Sequence, residues 1–134
     1  MLAKNNRIHT RFEFGKVKKF GEAYRYKYFY LYAVPTSRLV SLSQGRWDIG
    51  GQSQVGFVVS TKLHKHAVVR NRVKRLFRES VRQNFARIAV GWWLVFHPRF
   101  ISVDARYEDI NADVAAALQK LSVAGKIWAK NMPV

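Results

Sequence analysis

The chain has no cysteine, and its 24 lysines and arginines face only eight acidic residues. The first absence excludes disulfides, thiol nucleophiles and cysteine-based zinc sites, and it fits a reducing, cytoplasmic setting. The second leaves a formal net charge of +16 and a pI near 10.7. That balance belongs to a protein that meets nucleic acid or an anionic membrane. Long apolar runs are also missing. Those at 55–59 and 92–96 fall far below the ~20 residues of a spanning helix. The N-terminal Met-Leu-Ala-Lys-Asn-Asn-Arg lacks the apolar stretch of a signal peptide. Nucleic acid is therefore the expected partner, and membrane is not. No Gly-x-Ser-x-Gly, phosphate loop or Ser, His and carboxylate arrangement stands out, so no catalytic residue is assigned to the protein.

Hydrophobic residues make up 49% of the chain, enough for a core despite the charge. Without a linker, residues 1–134 read as a single domain, a nucleic-acid-binding one by its charge, with 1–9 a flexible basic arm.

The organising stretch is residues 66 to 82. On a helix at ~100° per residue it separates into two faces. Val69, Val73, Leu76, Phe77 and Ser80 cluster on one side. Arg70, Asn71, Lys74, Arg75, Arg78 and Arg82 lie opposite, with Arg72 at the seam. Between residues 62 and 82 there are eight Lys or Arg and one acid, Glu79. Like charges at i,i+4 cost roughly a few tenths of a kcal/mol per pair, a cost that a polyanion removes. Arg forks match phosphate oxygens, and Asn71 adds an uncharged donor and acceptor.

Elsewhere, Thr10 is expected to cap a helix from Arg11, with Phe14 and Val17 on one face and Gly21 as the stop. Tyrosines occupy every even position from 24 to 32, a period of two that predicts one strand ended by Pro35. Phe29 and Leu31 then face the core, while Tyr28, Tyr30 and Tyr32 share the other side, suited to stacking unpaired bases. Residues 38 to 43 are expected as a short second strand, and 44 to 54 as a hairpin loop around an exposed Trp47. Residues 54 to 60 read as a central strand, whose Val58 shares the tyrosine face, and 91 to 98 as a buried one. Lys62 and Lys65 extend the positive field. His64 and His66 are too few for zinc and read as RNA contact or plain loop. Asp104, Glu108, Asp109 and Asp113 load negative charge at the start of a final helix.

Arg70-Asn71-Arg72-x-Lys74-Arg75-x-x-Arg78, preceded by Ala-Val-Val, resembles the signature of the bacterial ribonuclease P protein component. Phe14-x-x-Val17-x-x-x-Gly21 resembles the first helix of that family. The expected fold is α+β, a single two-layer sandwich in α-β-β-β-α-β-α order with a four-stranded sheet. The resemblance adds a left-handed β-α-β crossover of ribosomal-protein-like kind. It implies a subunit of an endoribonuclease that removes the 5′ leader of precursor tRNA, with catalysis carried by the RNA subunit. Mg2+ would be bound mainly by that RNA, with no organic cofactor and no metal on the protein. Partners would be the catalytic RNA and the precursor tRNA leader, with no DNA. Arg70, Asn71, Arg72, Lys74, Arg75 and Arg78 would face the catalytic RNA. Phe14, Val17, Tyr30, Tyr32, Val58 and Lys62 would form the leader cleft, with His64, Lys65 and His66 as a supporting basic loop. The alternative is an RNA chaperone or ribosome-associated protein acting without a catalytic RNA.

Overall fold

A computed structural model describes residues 6–8, 10–47, 49, 52–88 and 91–131, with side chains except at 87 and 122–131. Helix α1 (Arg11–Phe20) begins in a capping box: Glu13 N–H donates to the Thr10 hydroxyl at 3.1 Å, and the Glu13 carboxylate accepts from Thr10 N–H at 2.9 Å. It ends at Gly21, where a Cβ would lie 2.4 Å from the Val17 carbonyl oxygen and 2.7 Å from that of Ala33. Only glycine lets the helix end lie this close to the sheet.

The tyrosine run forms two strands instead of one, β1 (Glu22–Arg25) and β2 (Phe29–Pro35), paired antiparallel. Tyr26 N–H donates to the Phe29 carbonyl at 2.9 Å to close the turn. No glycine, proline or asparagine marks this turn, because distant groups hold it. Arg99 donates to the Tyr26 and Lys27 carbonyls at 3.0 and 3.2 Å, and Asp113 accepts from Tyr28 N–H at 3.3 Å. The turn carries Tyr28 to the side of Phe29, so only Tyr30 and Tyr32 remain on the opposite face.

Residues 38 to 43, expected as a strand, lie in helix α2 (Thr36–Ser43). Thr36, Leu39 and Ser43 are buried at spacings of three and four, the period of a helix, and Gln44 and Gly45 end it with positive φ. The observed order therefore gains one helix over the expected one, while the sheet keeps four strands. β3 (Gln54–Phe57), α3 (Ala67–Asn84), β4 (Trp92–Pro98) and α4 (Tyr107–Asn131) complete the fold. The sheet order is β1-β2-β4-β3, with β3 parallel to β4, so α3 makes the crossover between neighbouring parallel strands. β4 takes the central place and β3 the edge, the reverse of the expectation for residues 54 to 60. The outer side of β3 is met by Arg7 in a bridge to Val55, with Ile8 N–H donating to the Val55 carbonyl at 3.0 Å. Residues 6–8 are thus docked, not a flexible arm; 1–5 and 9 lie outside the described residues.

One sheet face carries Phe29, Leu31, Val55, Leu94 and Phe96 into a core with Val73, Phe77 and Val81 of α3 and Ile110, Val114 and Leu118 of α4. A polar clasp fixes the two helices: the Asn111 side-chain oxygen accepts from Ser80 and Asn84, both at 2.8 Å. On the other face α1 and α2 pack through Val17 and Leu39 on Val34, Trp93 and Val95. Those two helices add a partial layer to the expected sandwich.

Candidate nucleic-acid interface

Helix α3 buries Val73, Phe77, Ser80 and Val81, so the remaining positions of its 3.6-residue period turn outward. Asn71, Arg72 and Arg75 are exposed, and Arg70, Lys74 and Arg78 half-buried. Their side chains divide into two groups. Arg70 donates to the His64 and Lys65 carbonyls, each at 2.9 Å, and ties the preceding loop to the helix. Arg72 donates to the Val103 carbonyl. By contrast, no carboxylate among the described residues pairs with Lys74, Arg75 or Arg78. With Val68 and Asn71 these three border a shallow hollow of about 440 Å³. The helix's one acid, Glu79, pairs with Arg82 at 2.5 Å on the last turns, away from the hollow. Burial, then the neighbouring Arg78 charge, lowers the Lys74 pKa. Like charges set side by side with no local anion repel, and an external anion would relieve that repulsion.

The second surface is the part of the sheet that α1 leaves uncovered. The Phe14 ring fills the place of a side chain at Gly56, where a Cβ would lie 2.6 Å from it. Val17 is fully buried, so it seats α1 and offers nothing to a ligand, a correction to its expected place in the cleft. Tyr30 is 38% exposed and Tyr32 half-buried. Tyr32 meets His97 edge-on at 5.0 Å, with the Lys18 ammonium 5.7 Å from the Tyr32 ring centroid.

Tyr30, Val58 and Lys62 come together around a hollow of about 400 Å³; Phe14 and Tyr32 do not line it. His97, Arg99, Phe100 and Ile101, none of them expected, complete its wall. Arg99 stands 5.2 Å from the Tyr30 ring centroid. The sequence signal for this group is slight: Phe100 and Ile101 are apolar yet follow directly on a strand's end. Burial, then the Lys18 charge, pushes the His97 pKa down to about 4, so the imidazole is neutral at pH 7.

The loop between β3 and α3 joins the two surfaces. Buried Leu63 pins it, Lys62 and Lys65 are exposed, and His64 Nδ1 accepts from His66 N–H at 3.1 Å. Among the described residues no three His, Cys, Asp or Glu side chains are grouped to hold a metal ion. None of the described helices is long and apolar enough to cross a membrane. Trp47, expected as exposed, is half-buried against Phe12 and Phe20 of α1, with the Lys16 ammonium 3.9 Å from its ring centroid.

A mixed sheet with a cationic crossover helix on one side and an open aromatic face on the other defines an α+β protein with a nucleic-acid-binding type of surface. Comparison with known proteins is more specific. Residues 2–122 match the Ribonuclease P family, and the chain belongs to it. It is 34% identical over 119 residues to the ribonuclease P protein component of Clostridium novyi, covering 89% of this chain and 96% of that one. The corresponding protein of Alkaliphilus oremlandii is 39% identical over 71 residues, 53% of this chain and 61% of that one. In fold, the chain is similar to the RNase P protein from Thermotoga maritima, with a TM-score of 0.69 at 23% identity, covering 85% of this chain and 96% of that chain. The RNase P protein of Staphylococcus aureus gives 0.68 at 21% identity, over 87% and 94% of the two chains.

Proposed function

We propose that the chain is the protein subunit of the ribonucleoprotein endonuclease ribonuclease P, acting in the cytoplasm on precursor tRNA. The observation that carries this reading is the unpaired row Lys74, Arg75 and Arg78 with Asn71, held rigidly on a helix packed against a sheet. This row meets phosphates of the catalytic RNA, while Arg70 and Arg72 donate to backbone carbonyls of the chain itself. The open sheet takes the 5′ leader: Tyr30 and Tyr32 stack unpaired bases, Val58 and Phe14 supply apolar walls, and Lys62 and Arg99 meet the leader's phosphates. His64, Lys65 and His66 extend the positive field between the two surfaces.

Hydrolysis belongs to the RNA partner. The Mg2+ of the reaction sits on the RNA. The protein's part is to neutralise phosphate repulsion between two RNAs and to bind a leader that mature tRNA lacks. Product is thereby released in preference to substrate.

Reconstitution tests this. Bacterial ribonuclease P RNA and precursor tRNA at low magnesium should give 5′ cleavage on addition of the protein, where neither component cleaves alone. RNA binding without cleavage would point to an RNA chaperone. In the active complex, Tyr30→Ala should weaken precursor binding roughly ten-fold, within the ~1–3 kcal/mol of one base stack. Mature tRNA binding should be unchanged; equal losses on both would refute the leader surface.

A further inference from the structure

Arg72 lies at the seam of α3, between its buried and cationic faces, and its guanidinium turns away from the hollow bordered by Lys74, Arg75 and Arg78. It donates to the carbonyl of Val103, 31 residues further along the chain. Val103 belongs to a short 3-10 helix, Phe100–Asp104, that follows β4. Such a segment has little stability of its own. Its internal support comes from bonds to the Arg99 carbonyl, which accepts from Ser102 N–H at 2.9 Å and from the Ser102 hydroxyl at 2.6 Å. Ser102 and Val103 are buried, but Phe100 and Ile101 stand 67% and 49% exposed. Those two side chains wall the hollow that also holds Tyr30 and Lys62. A charge-assisted bond thus runs from α3 to the last turn of the segment that walls one side of that hollow.

We infer that Arg72 is a positioning residue: it holds the Phe100–Asp104 segment on the basic helix and so shapes the hollow for a single-stranded RNA segment. This rests on the proposed reading of the hollow as the leader surface. It also divides the arginine motif by task. Lys74, Arg75 and Arg78 face an external polyanion, while Arg72 acts inside the protein and couples the helix to the leader wall.

The test compares Arg72→Ala with Arg75→Ala in complexes with the catalytic RNA. Arg75→Ala should lower the salt slope of RNA binding by about 0.7–0.9, the value of one lost phosphate contact. Arg72→Ala should leave that slope at the wild-type value, yet reduce the preference for precursor over mature tRNA by roughly ten-fold. General destabilisation would lower the active fraction for both tRNAs alike and leave their ratio intact. A slope reduced as in Arg75→Ala, with tRNA preference retained, would overturn the inference. Should Arg72→Ala fail to fold, Arg72→Gln removes the charge but keeps an N–H donor: an unchanged slope supports the positioning role and a fall of about 0.7–0.9 refutes it. Hydrogen exchange at the Ser102 and Ala105 amides separates this inference from the reading beneath it. Faster exchange in Arg72→Ala than in Arg75→Ala shows the anchor, whether or not wild-type protein discriminates between the two tRNAs; equal exchange removes it.

Discussion

The two faces of one sheet are used differently. Under α3 and α4, Phe29, Leu31, Leu94 and Phe96 are each wholly inaccessible, and rings of Phe29, Phe77 and Phe96 interlock. Under α1 and α2 the same strands present Tyr30, Tyr32 and His97, none of them fully covered. The closed side draws its stability from apolar area removed from water. The half-open side keeps surface uncovered and depends on the close approach of backbone at Gly21 and of the Phe14 ring at Gly56. Stability and the proposed recognition are thus separated by the strand's alternation, since neighbouring residues of β2 serve opposite faces.

Substitutions on each side can break this contrast. Phe77→Ala should be the most damaging, costing about 3–5 kcal/mol through the cavity left between helix and sheet. Urea unfolding measures it, and a loss below 1 kcal/mol would mean that the closed side is not the stabilising one. Gly56→Ala should cost less, about 1–3 kcal/mol, because the Phe14 ring can swing aside. Its larger effect should fall on precursor binding; a cost equal to that of Phe77→Ala would erase the distinction. Thr10→Ala removes the cap of α1 and should cost ~1 kcal/mol, again with a loss at the open face.

Acidification should give the smallest change, since His97 is only half-buried. The folded pKa of His97 is pushed down to about 4, below the ordinary ~6.5 of the unfolded chain. The unfolded state then binds the extra proton first, and the contribution is whole above pH ~6.5 and lost as pH falls towards 4. Unfolding midpoints taken between pH 7 and 4.5 should fall more steeply for wild type than for His97→Gln; parallel curves would show that His97 is not held neutral by the fold.

Much of the arrangement was legible in residue order. The cap at Thr10, the stop at Gly21 and the two-faced basic helix all follow from local chemistry, and the structure places them as expected. The hairpin in the tyrosine run was not legible, because its turn is held by Arg99 and Asp113 from 70 or more positions away, as the separations of 72, 73 and 85 residues record. The wall formed by Phe100 and Ile101 escaped for a similar reason. Nothing near them marks a site, and only folding brings them beside Tyr30 and Lys62 from other parts of the chain.

Sequence alone determined the charge, the absence of cysteine, the helical period of the cationic segment and the family motif. These are properties of neighbours along the chain, set by spacing and side-chain type. Tertiary structure alone decided which tyrosines share a face, which strand is central, and which arginines bond to the chain's own carbonyls. The reason is physical: the burial of Val17 and the bonds of Arg70 and Arg72 are fixed by groups that become neighbours only on folding.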